Sequence, residues 1–391
     1  MDNQILIAER SGTIALYSAT EGEWARTEVA ASGRWPTWNP VHDIVAVSRL
    51  EADASAPSSS IELFTTGGEH LRTVHQSGTG IPPVIAPRLP HYCLWSPGGN
   101  VLSYVAQSSY GLTLFLSAID GSFTSDPIIN GAPLFLAWCT DNNFLGVHAG
   151  EELAVVEVEG SRTTANVAHR ALGFRTPAFS DDANIMAYAL PAEPGVAIMR
   201  ALFQGMNGRE IHRFDGGVAL GFRPGTQQLT AAVTRHPDTG TFDELWALDL
   251  AEDPPVVSLI TRGPLVAFFW SPGGDKLAVV FPAQTGDGRY GVRVHGPGGR
   301  TVAVSESFVP SVDYRMILGF FDQYMQSHHL WSADGRQFLV TGRLVNDAVS
   351  SSLGDPAGDY VMTWTPEGGQ PLSVVAPGEA GFFRPAPKRI H

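Results

Sequence analysis

Two stretches of this sequence share one pattern: Cys93-Leu94-Trp95-Ser96-Pro97-Gly98-Gly99 and Phe268-Phe269-Trp270-Ser271-Pro272-Gly273-Gly274. Each has two or three small or apolar residues, an aromatic residue, a small or polar residue, and a turn of Pro and Gly. Related patterns surround six further aromatic residues: Trp38, Trp138, Phe179, Phe222, Trp331 and Phe383. A motif that returns eight times along 391 residues indicates a repeat fold.

The repeat predicts a series of four-stranded antiparallel sheets. By subtraction, successive aromatic residues lie 57, 43, 41, 43, 48, 61 and 52 positions apart, which fits units of about 40 to 50 residues with loop insertions. The first seven copies are each followed by a strand-like apolar run, such as Ile44–Val47 or Leu277–Val280. Further runs such as Ile61–Phe64 and Val256–Ile260 supply the remaining strands, so we expect strands A to D in each unit, with the aromatic residue on A.

A sheet with apolar residues on both faces must be covered on both, and radial packing of such sheets about an axis achieves this. We therefore predict an all-β fold in which residues 1–391 form one eight-bladed β-propeller domain. The chain begins with three strands, Gln4–Ala8, Thr13–Tyr17 and Arg26–Val29, that lack an A strand. Gly381–Pro385 would supply it and close the ring, which removes free sheet edges. Seven blades with an irregular tail is the alternative.

The motif also carries a family resemblance. The WSPGG copies at Trp95 and Trp270 and the WSADG copy at Trp331 resemble the WSPDG repeat of TolB-like, WD40-like propellers, and the resemblance covers nearly the whole chain. Several copies are degenerate, since Asn39, Cys139 and Arg223 replace the serine. The resemblance implies the fold and says little about function, because propellers of this kind serve many functions.

Composition excludes some classes of partner. The chain has 25 basic and 39 acidic residues and a net charge of −14, which argues against a nucleic-acid partner. No apolar run is long enough for a membrane-spanning helix, and the first residues lack the features of a secretion signal, so we expect a soluble, cytoplasmic protein. The two cysteines, Cys93 and Cys139, are too few for a disulfide framework.

The register of the repeat predicts which residues surround the mouth of the central channel. Long insertions fall in the D-to-A and B-to-C connections, which share one face of a propeller and mark it as the working surface. Residues three or four positions before each aromatic begin strand A at this face. Those we expect to bind ligand at the channel mouth are Arg34, Trp35, His91, Tyr92, Arg175, His328 and Glu379.

These residue types favour an anionic small molecule or an acidic peptide. Arginine pairs with carboxylates through two parallel hydrogen bonds, and aromatic side chains offer a stacking wall. The alternative is that the arginines only pair with surface acids.

A metal-dependent enzyme is the alternative from another functional class. Weak candidates for metal ligands are His91, His328 and His329. Resemblance to the propellers of oligogalacturonate lyases, which use a channel metal held by histidines, implies a lyase or hydrolase acting on an acidic sugar. No His-x-His or HExxH spacing supports it, and hydrogen-bonded or exposed histidines are the other interpretation. The chain also lacks a G-x-S-x-G motif, so we assign no catalytic residue and no cofactor beyond a possible divalent metal.

The segment from Val312 to Met325 is the least like a propeller strand. It is dense in apolar residues and includes four aromatic residues and one glycine, which is compatible with a short helix or an extra strand. It would form either a plug over the channel or a hydrophobic docking site for another protein. Taken together, the sequence favours a non-enzymatic binding or protein-interaction scaffold that uses the long-loop face.

Overall fold

A computed structural model shows an almost entirely β-stranded chain. It describes residues 3–20, 22–51, 57–159, 162–172, 175–182, 184–202, 208–236, 239–283, 286, 288–345, 355 and 357–386. Many strands are buried along consecutive residues, as in β1, where Ile5, Leu6 and Ile7 are all fully buried. Because neighbouring residues of a strand point to opposite faces, both faces of this sheet are covered.

The sheets follow one another in chain order. The first contains both ends of the described chain: β1 (Gln4–Ala8), β2 (Ile14–Thr20), β3 (Glu23–Ala30) and the last strand β32 (Ala380–Phe383). The second contains β4 (Arg34–Trp38), β5 (Ile44–Glu51), β6 (Ser58–Thr65) and β7 (His70–Gln76). The third contains β8 (Tyr92–Trp95), β9 (Val101–Ser108), β10 (Gly111–Ala118) and β11 (Ile129–Asn130).

Three more four-stranded sheets continue the series. The fourth contains β12 (Leu134–Trp138), β13 (Phe144–Ala149), β14 (Glu152–Glu157) and β15 (Arg162–His169). The fifth contains β16 (Ala178–Phe179), β17 (Ile185–Pro191), β18 (Val196–Leu202) and β19 (Arg209–Phe214). The sixth contains β20 (Gly217–Phe222), β21 (Gln228–Thr234), β22 (Phe242–Asp249) and β23 (Val256–Leu265).

The seventh sheet is twice as large because it joins two successive meanders. It contains β24 (Ala267–Trp270), β25 (Leu277–Pro282), β26 (Tyr290–His295), β27 (Thr301–Val304), β28 (Phe308–Pro310), β29 (Phe338–Leu344), β30 (Tyr360–Trp364) and β31 (Ser373–Pro377). Strand β28 pairs with β26 and with β29, and Trp331 adds an isolated bridge to Phe338 at the inner edge of the second meander. The blade count of eight therefore stays a prediction, as does the assignment of the chain to one domain.

The closure predicted from the two ends of the chain is confirmed. Strand β32 pairs antiparallel with β1, with Ile5 opposite Phe383 and Ala8 opposite Ala380. The N-terminal strands also begin and end close to their predicted bounds. The inner edge of the first sheet is thus supplied by residues more than 370 positions away.

Several tryptophans of the repeat connect their inner strand to the inner strand of the preceding unit. Trp38 Nε1 donates to the carbonyl oxygen of Phe382 at 3.1 Å, and Trp95 Nε1 donates to that of Thr37 at 3.3 Å. Trp331 Nε1 makes the same kind of bond to Phe269 at 2.9 Å. In each case the acceptor directly precedes the aromatic residue of the previous unit. The aromatic residue therefore fills the gap between sheets and satisfies its own N–H there.

The rest of the motif forms the turn after the inner strand. Ser96 Oγ accepts the backbone N–H of Val101 at 3.2 Å, and Ser271 Oγ accepts that of Lys276 at 3.0 Å. The final glycine of the motif adopts a positive φ, 73° at Gly99, which glycine tolerates without steric cost. The serine and the glycine are therefore structural residues.

The insertion after β28 forms two short helices, α1 (Val312–Gly319) and α2 (Phe321–Tyr324), here called the plug. Ser311 Oγ caps α1 by accepting the N–H of Tyr314 at 3.1 Å. Five apolar side chains of the plug are almost wholly buried, whereas Val312 at its start is 48% exposed; the buried ones are Tyr314, Ile317, Leu318, Phe321 and Tyr324. No helix among the described residues has the length and apolar character needed to cross a bilayer.

The plug touches inner strands all around the ring. Tyr92 on β8 donates to the carbonyl of Gln323 at 2.9 Å, and the N–H of Leu136 on β12 donates to Gln323 Oε1 at 3.1 Å. The ring of Phe321 packs edge-on against Phe268 on β24 at 4.9 Å. A segment in contact with inner strands of so many sheets must lie on the axis. The sequence left open a short helix or an extra strand, and a plug or a docking site. The structure shows helices that form a plug.

Candidate functional site at the channel mouth

Four charged side chains meet above the plug: Arg34, Arg88, Asp313 and Glu379, here called the mouth cluster. Arg34 Nη1 lies 3.0 Å from Glu379 Oε2, and Arg88 Nη2 lies 2.7 Å from the same oxygen. Arg88 Nε also donates to Asp313 Oδ1 at 2.9 Å. Arg34, Arg88 and Glu379 are 33%, 37% and 28% exposed, whereas Asp313 is 4% exposed. Two arginines therefore converge on one carboxylate oxygen that solvent can reach.

The backbone that carries the two arginines is strained. Arg88 lies in the connection between β7 and β8 and has a φ of 67°, and Trp35, which follows Arg34, has a φ of 50°. Positive φ is uncommon for non-glycine residues and unusual for a bulky one. Trp35 Nε1 donates to the carbonyl of Arg88 at 2.9 Å, so the two strained residues hold each other. Strain of this kind is found preferentially at ligand-binding sites.

Electrostatics distinguish the two acids of the cluster. Burial raises the pKa of Asp313, and the hydrogen bond from Arg88 opposes that shift. The same bond raises the pKa of Arg88. Asp313, nearly inaccessible, is the fixed anchor of Arg88, while Glu379 is the more exposed partner.

A second group of charges adjoins the mouth cluster. Arg10 Nη1 lies 2.7 Å from Asp355 Oδ2, its Nη2 donates to the carbonyl of Asp359 at 2.7 Å, and Arg343 Nε lies 3.8 Å from Asp359 Oδ1. The carbonyl of Asp359 also accepts the N–H of Gly378, the residue before Glu379. Burial raises the pKa of Asp359. Arginine is thus concentrated locally in a chain whose net charge is −14.

Three of the predicted ligand contacts lie beneath the cluster instead of facing solvent. Trp35 stacks on Tyr324 of the plug at a ring distance of 5.4 Å, and Tyr92 meets the same ring edge-on at 5.5 Å. His328 packs edge-on against Tyr324 at 5.2 Å and against Phe382 at 4.4 Å. All three predicted residues are at most 4% exposed, because the plug covers them. Their place in this structure is to support the plug.

Arg175 also contacts the plug, on another side of the ring. Its Nε donates to the carbonyl of Val218 at 2.8 Å, its guanidinium lies 5.4 Å from the ring of Phe242, and Nη1 lies 3.9 Å from Asp322 Oδ1. None of the contacts described for Arg175 involves a member of the mouth cluster. As ligand-binding residues, Arg34, Arg175 and Glu379 stay predictions.

Among the described residues, the three candidate histidines do not join other side chains in a group of metal ligands. His91 lies between two serine hydroxyls, 3.3 Å from Ser48 Oγ and 3.3 Å from Ser59 Oγ, and is 2% exposed. Burial lowers the pKa of His91 to about 3 and that of His328 to about 3, so both are neutral near pH 7. His329 is partly exposed. Within the described ranges, no three His, Cys, Asp or Glu side chains come together as a metal-binding group.

Asp322 is a buried acid that fixes the plug. Its Oδ2 accepts the N–H of Thr176 at 3.1 Å, and burial, opposed by nearby Arg175, raises its pKa. When burial raises the pKa of a carboxyl group in the folded state, ionising that group destabilises the folded protein. The destabilisation is complete at pH values above the folded-state pKa and absent at pH values below the unfolded-state pKa. Asp322→Asn removes this ionisation but keeps an oxygen acceptor for Thr176.

We therefore expect wild type to gain stability relative to Asp322→Asn as pH falls from about 7 to about 4.5, toward the unfolded pKa of about 3.9. Urea unfolding of both proteins at the two pH values measures the difference. Comparing the two cancels the effects of the other acids. A difference that is constant with pH, or that moves the opposite way, would contradict the burial argument.

Sequence reasoning missed half of the mouth cluster. Arg88 lies in the long connection between β7 and β8, and Asp313 lies in the plug, so neither occupies a register position of the repeat. The sequence did contain one indication of their role: both residues lie in the longest insertions on the face that we expected to be functional. Length identified the segments, but not which side chains in them would meet Arg34 and Glu379.

Comparison with solved structures identifies the fold. A eukaryotic initiation factor is 13% identical with a TM-score of 0.58, and the match covers 100% of both chains. Oligogalacturonate lyase in complex with manganese is 13% identical with a TM-score of 0.50 and 86% of each chain covered. TolB from Acinetobacter baumannii is 14% identical with a TM-score of 0.42, over 88% of this chain and 82% of that one.

Neither the protein-family models nor the curated protein sequences give a match. At these identities the first two likenesses show the fold alone. Together with the antiparallel four-stranded sheets, they confirm the predicted all-β propeller.

Proposed function

We propose that this β-propeller is a non-enzymatic binding scaffold whose mouth cluster binds the carboxylate of an anionic small molecule or an acidic peptide. The long-loop face presents the cluster, and the plug supports it from below. Recognition takes place by exchange of one carboxylate for another at Arg34 and Arg88.

The observation that carries the proposal is the shared oxygen of Glu379. Two guanidinium groups approach Glu379 Oε2 at 3.0 and 2.7 Å, and both arginines are about one-third exposed. Charge-assisted hydrogen bonds of this type are the strong ones in protein recognition. An incoming carboxylate finds both arginines already oriented, because Asp313 and Trp35 hold Arg88 and its backbone in place.

A binding role agrees with the chemistry of the described residues better than catalysis does. The cluster contains no nucleophile with an adjacent base, which acyl or phosphoryl transfer needs. Buried side chains of the plug fill the axis of the ring. The rigid ring and strained loop are suited to holding donors at fixed positions.

A fluorescein-labelled peptide of six glutamates tests the proposal by fluorescence anisotropy. We expect Arg34→Ala combined with Arg88→Ala to weaken binding by about 10- to 100-fold, because hydrogen bonds to charged groups contribute about 1.5 to 3 kcal/mol. Glu379→Gln is expected to strengthen binding, since it removes the internal competitor. These opposite signs separate ligand exchange from general loss of structure.

Arg336→Ala is the matched control, because Arg336 is 77% exposed and pairs only weakly, at 3.8 Å, with Asp334. It removes one positive charge without touching the cluster. If Arg336→Ala weakened peptide binding equally, the assay would report only the net charge of the protein. Unchanged binding in the arginine double variant would refute the proposal.

The rival function, a metal-dependent lyase or hydrolase acting on an acidic sugar, has a separate test. We expect no unsaturated product when the protein is incubated with oligogalacturonate and Mn²⁺. A Mn²⁺-dependent product that disappears in His91→Ala or His328→Ala would favour the enzyme over the scaffold.

A further inference from the structure

We propose a second binding site on the outer rim: the groove between β27 and the turn after β30 takes an extended peptide segment of a partner protein. The segment carries alternating basic and apolar residues, and it adds a strand to the free edge of β27. The site shares no residue with the mouth cluster, and its ionisable lining residues are both acidic.

The groove has a volume of about 510 Å³ and lies between the two meanders of the largest sheet. Strand β27 forms one side and the turn following β30 forms the other. The residues that matter for recognition are Val302, Val304, Glu306, Trp364, Pro366 and Glu367. The volume is in the range of sites that hold several side chains.

The outer edge of β27 is open for pairing. Within the described part of the chain, β27 is hydrogen-bonded to β26 on one side and to no strand on the other. The N–H of Ser305 donates to the carbonyl of Val292 on the β26 side. Because bonded residues alternate in an antiparallel pair, the N–H and C=O of Val304 point outward. An extended peptide bonds to groups oriented in this way.

Apolar side chains on β27 strengthen the case for a partner. Val302 and Val304 are 53% and 54% exposed. Valines at an exposed sheet edge promote pairing with another chain unless the edge is protected by charge or proline. Residues 301–304 contain neither.

Charge selects the kind of peptide. The ionisable residues that line the groove, Glu306 and Glu367, are both acidic. Glu306 Oε1 accepts the N–H of Leu372 at 2.7 Å, and Glu367 is 64% exposed and lies 2.7 Å from Lys276. A basic side chain in the peptide would approach Glu367 from the solvent side, whereas an acidic one would be repelled. The occupant is therefore a strand of lysine or arginine alternating with aliphatic residues.

The probe is a fluorescein-labelled synthetic peptide of four Lys-Val repeats, measured by fluorescence anisotropy against the full chain. We expect it to bind, and we expect a Glu-Val peptide and a Lys-Pro peptide of the same length not to bind. The first control has the wrong charge, and the second lacks the N–H of every second residue and the valine side chains. Val304→Pro, which removes the outward N–H, should weaken binding about tenfold.

Val302→Lys combined with Val304→Lys should weaken binding by tenfold or more, by adding like charge and removing apolar contact. Val256→Lys is the matched control, since Val256 is 59% exposed on another outer strand, and it should leave binding unchanged. Equal loss in the control, or equal binding of the Lys-Pro peptide, would overturn the proposal. We expect the Arg34→Ala, Arg88→Ala double variant to bind the Lys-Val peptide as wild type does. That result would show that the groove binds independently of the mouth cluster.

Discussion

Phe321→Ala is expected to lower the free energy of unfolding by about 3 to 5 kcal/mol, the range for removal of a buried phenylalanine. The ring of Phe321 is fully buried and lies 4.9 Å from Phe268, 5.9 Å from Phe242 and 6.2 Å from Phe269. Its loss leaves a cavity on the axis, where the rigid inner strands limit collapse. Urea unfolding followed by tryptophan fluorescence measures the change.

Phe320→Ala is the matched control, because Phe320 is the preceding residue, has the same side chain and is only partly buried. We expect a loss of less than half as much. Equal losses would mean that the plug does not pack on the axis as the structure has it. A loss below about 1 kcal/mol in Phe321→Ala would show that the plug is not part of the cooperative core.

The sequence alone predicted those parts of the fold that depend on residues close together in the chain or in adjacent repeats. The serine of the WSPGG motif accepts a backbone N–H from five residues later, and the final glycine adopts the positive φ of the same turn, as Ser96 and Gly99 do. The hydrogen bond from the indole of Trp95 to the carbonyl of Thr37 involves only the preceding unit of the same repeat. Repetition made these local signals visible, and the pairing of β1 with β32 was predicted because the N-terminal unit lacked an A strand and the C-terminus carried one.

The site was less predictable because two of its members, Arg88 and Asp313, come from separate insertions. Arg88 and Glu379 are 291 positions apart, and Arg88 and Asp313 are 225 positions apart. No period relates them, and only the folded loops bring them within 3 Å. The register argument found Arg34 and Glu379 because both lie at the start of inner strands.

The same register argument did not predict that His91 would be buried. It assumes that a residue four positions before the aromatic faces the channel. His91 precedes β8, and its ring is buried against Ser48 and Ser59 of the neighbouring sheet. Trp35, Tyr92 and His328 do surround the axis, but the plug occupies the space that a ligand was expected to fill. The length of the insertion was visible in the sequence, whereas its inward direction was not.

Phe382→Ala tests the closure of the ring and is expected to cost about 3 to 5 kcal/mol of unfolding free energy. Phe382 is fully buried in β32, its ring packs 4.4 Å from His328 of the segment after the plug, and its carbonyl accepts the indole N–H of Trp38. One residue thus connects the first sheet, the second sheet and the segment that follows the plug. Urea unfolding measures the loss, and Phe123→Ala, at a phenylalanine that is 36% exposed, is the control. If Phe382→Ala cost no more than Phe123→Ala, the last strand would not be needed for stability, and the pairing of β1 with β32 would lose its role in holding the mouth cluster together.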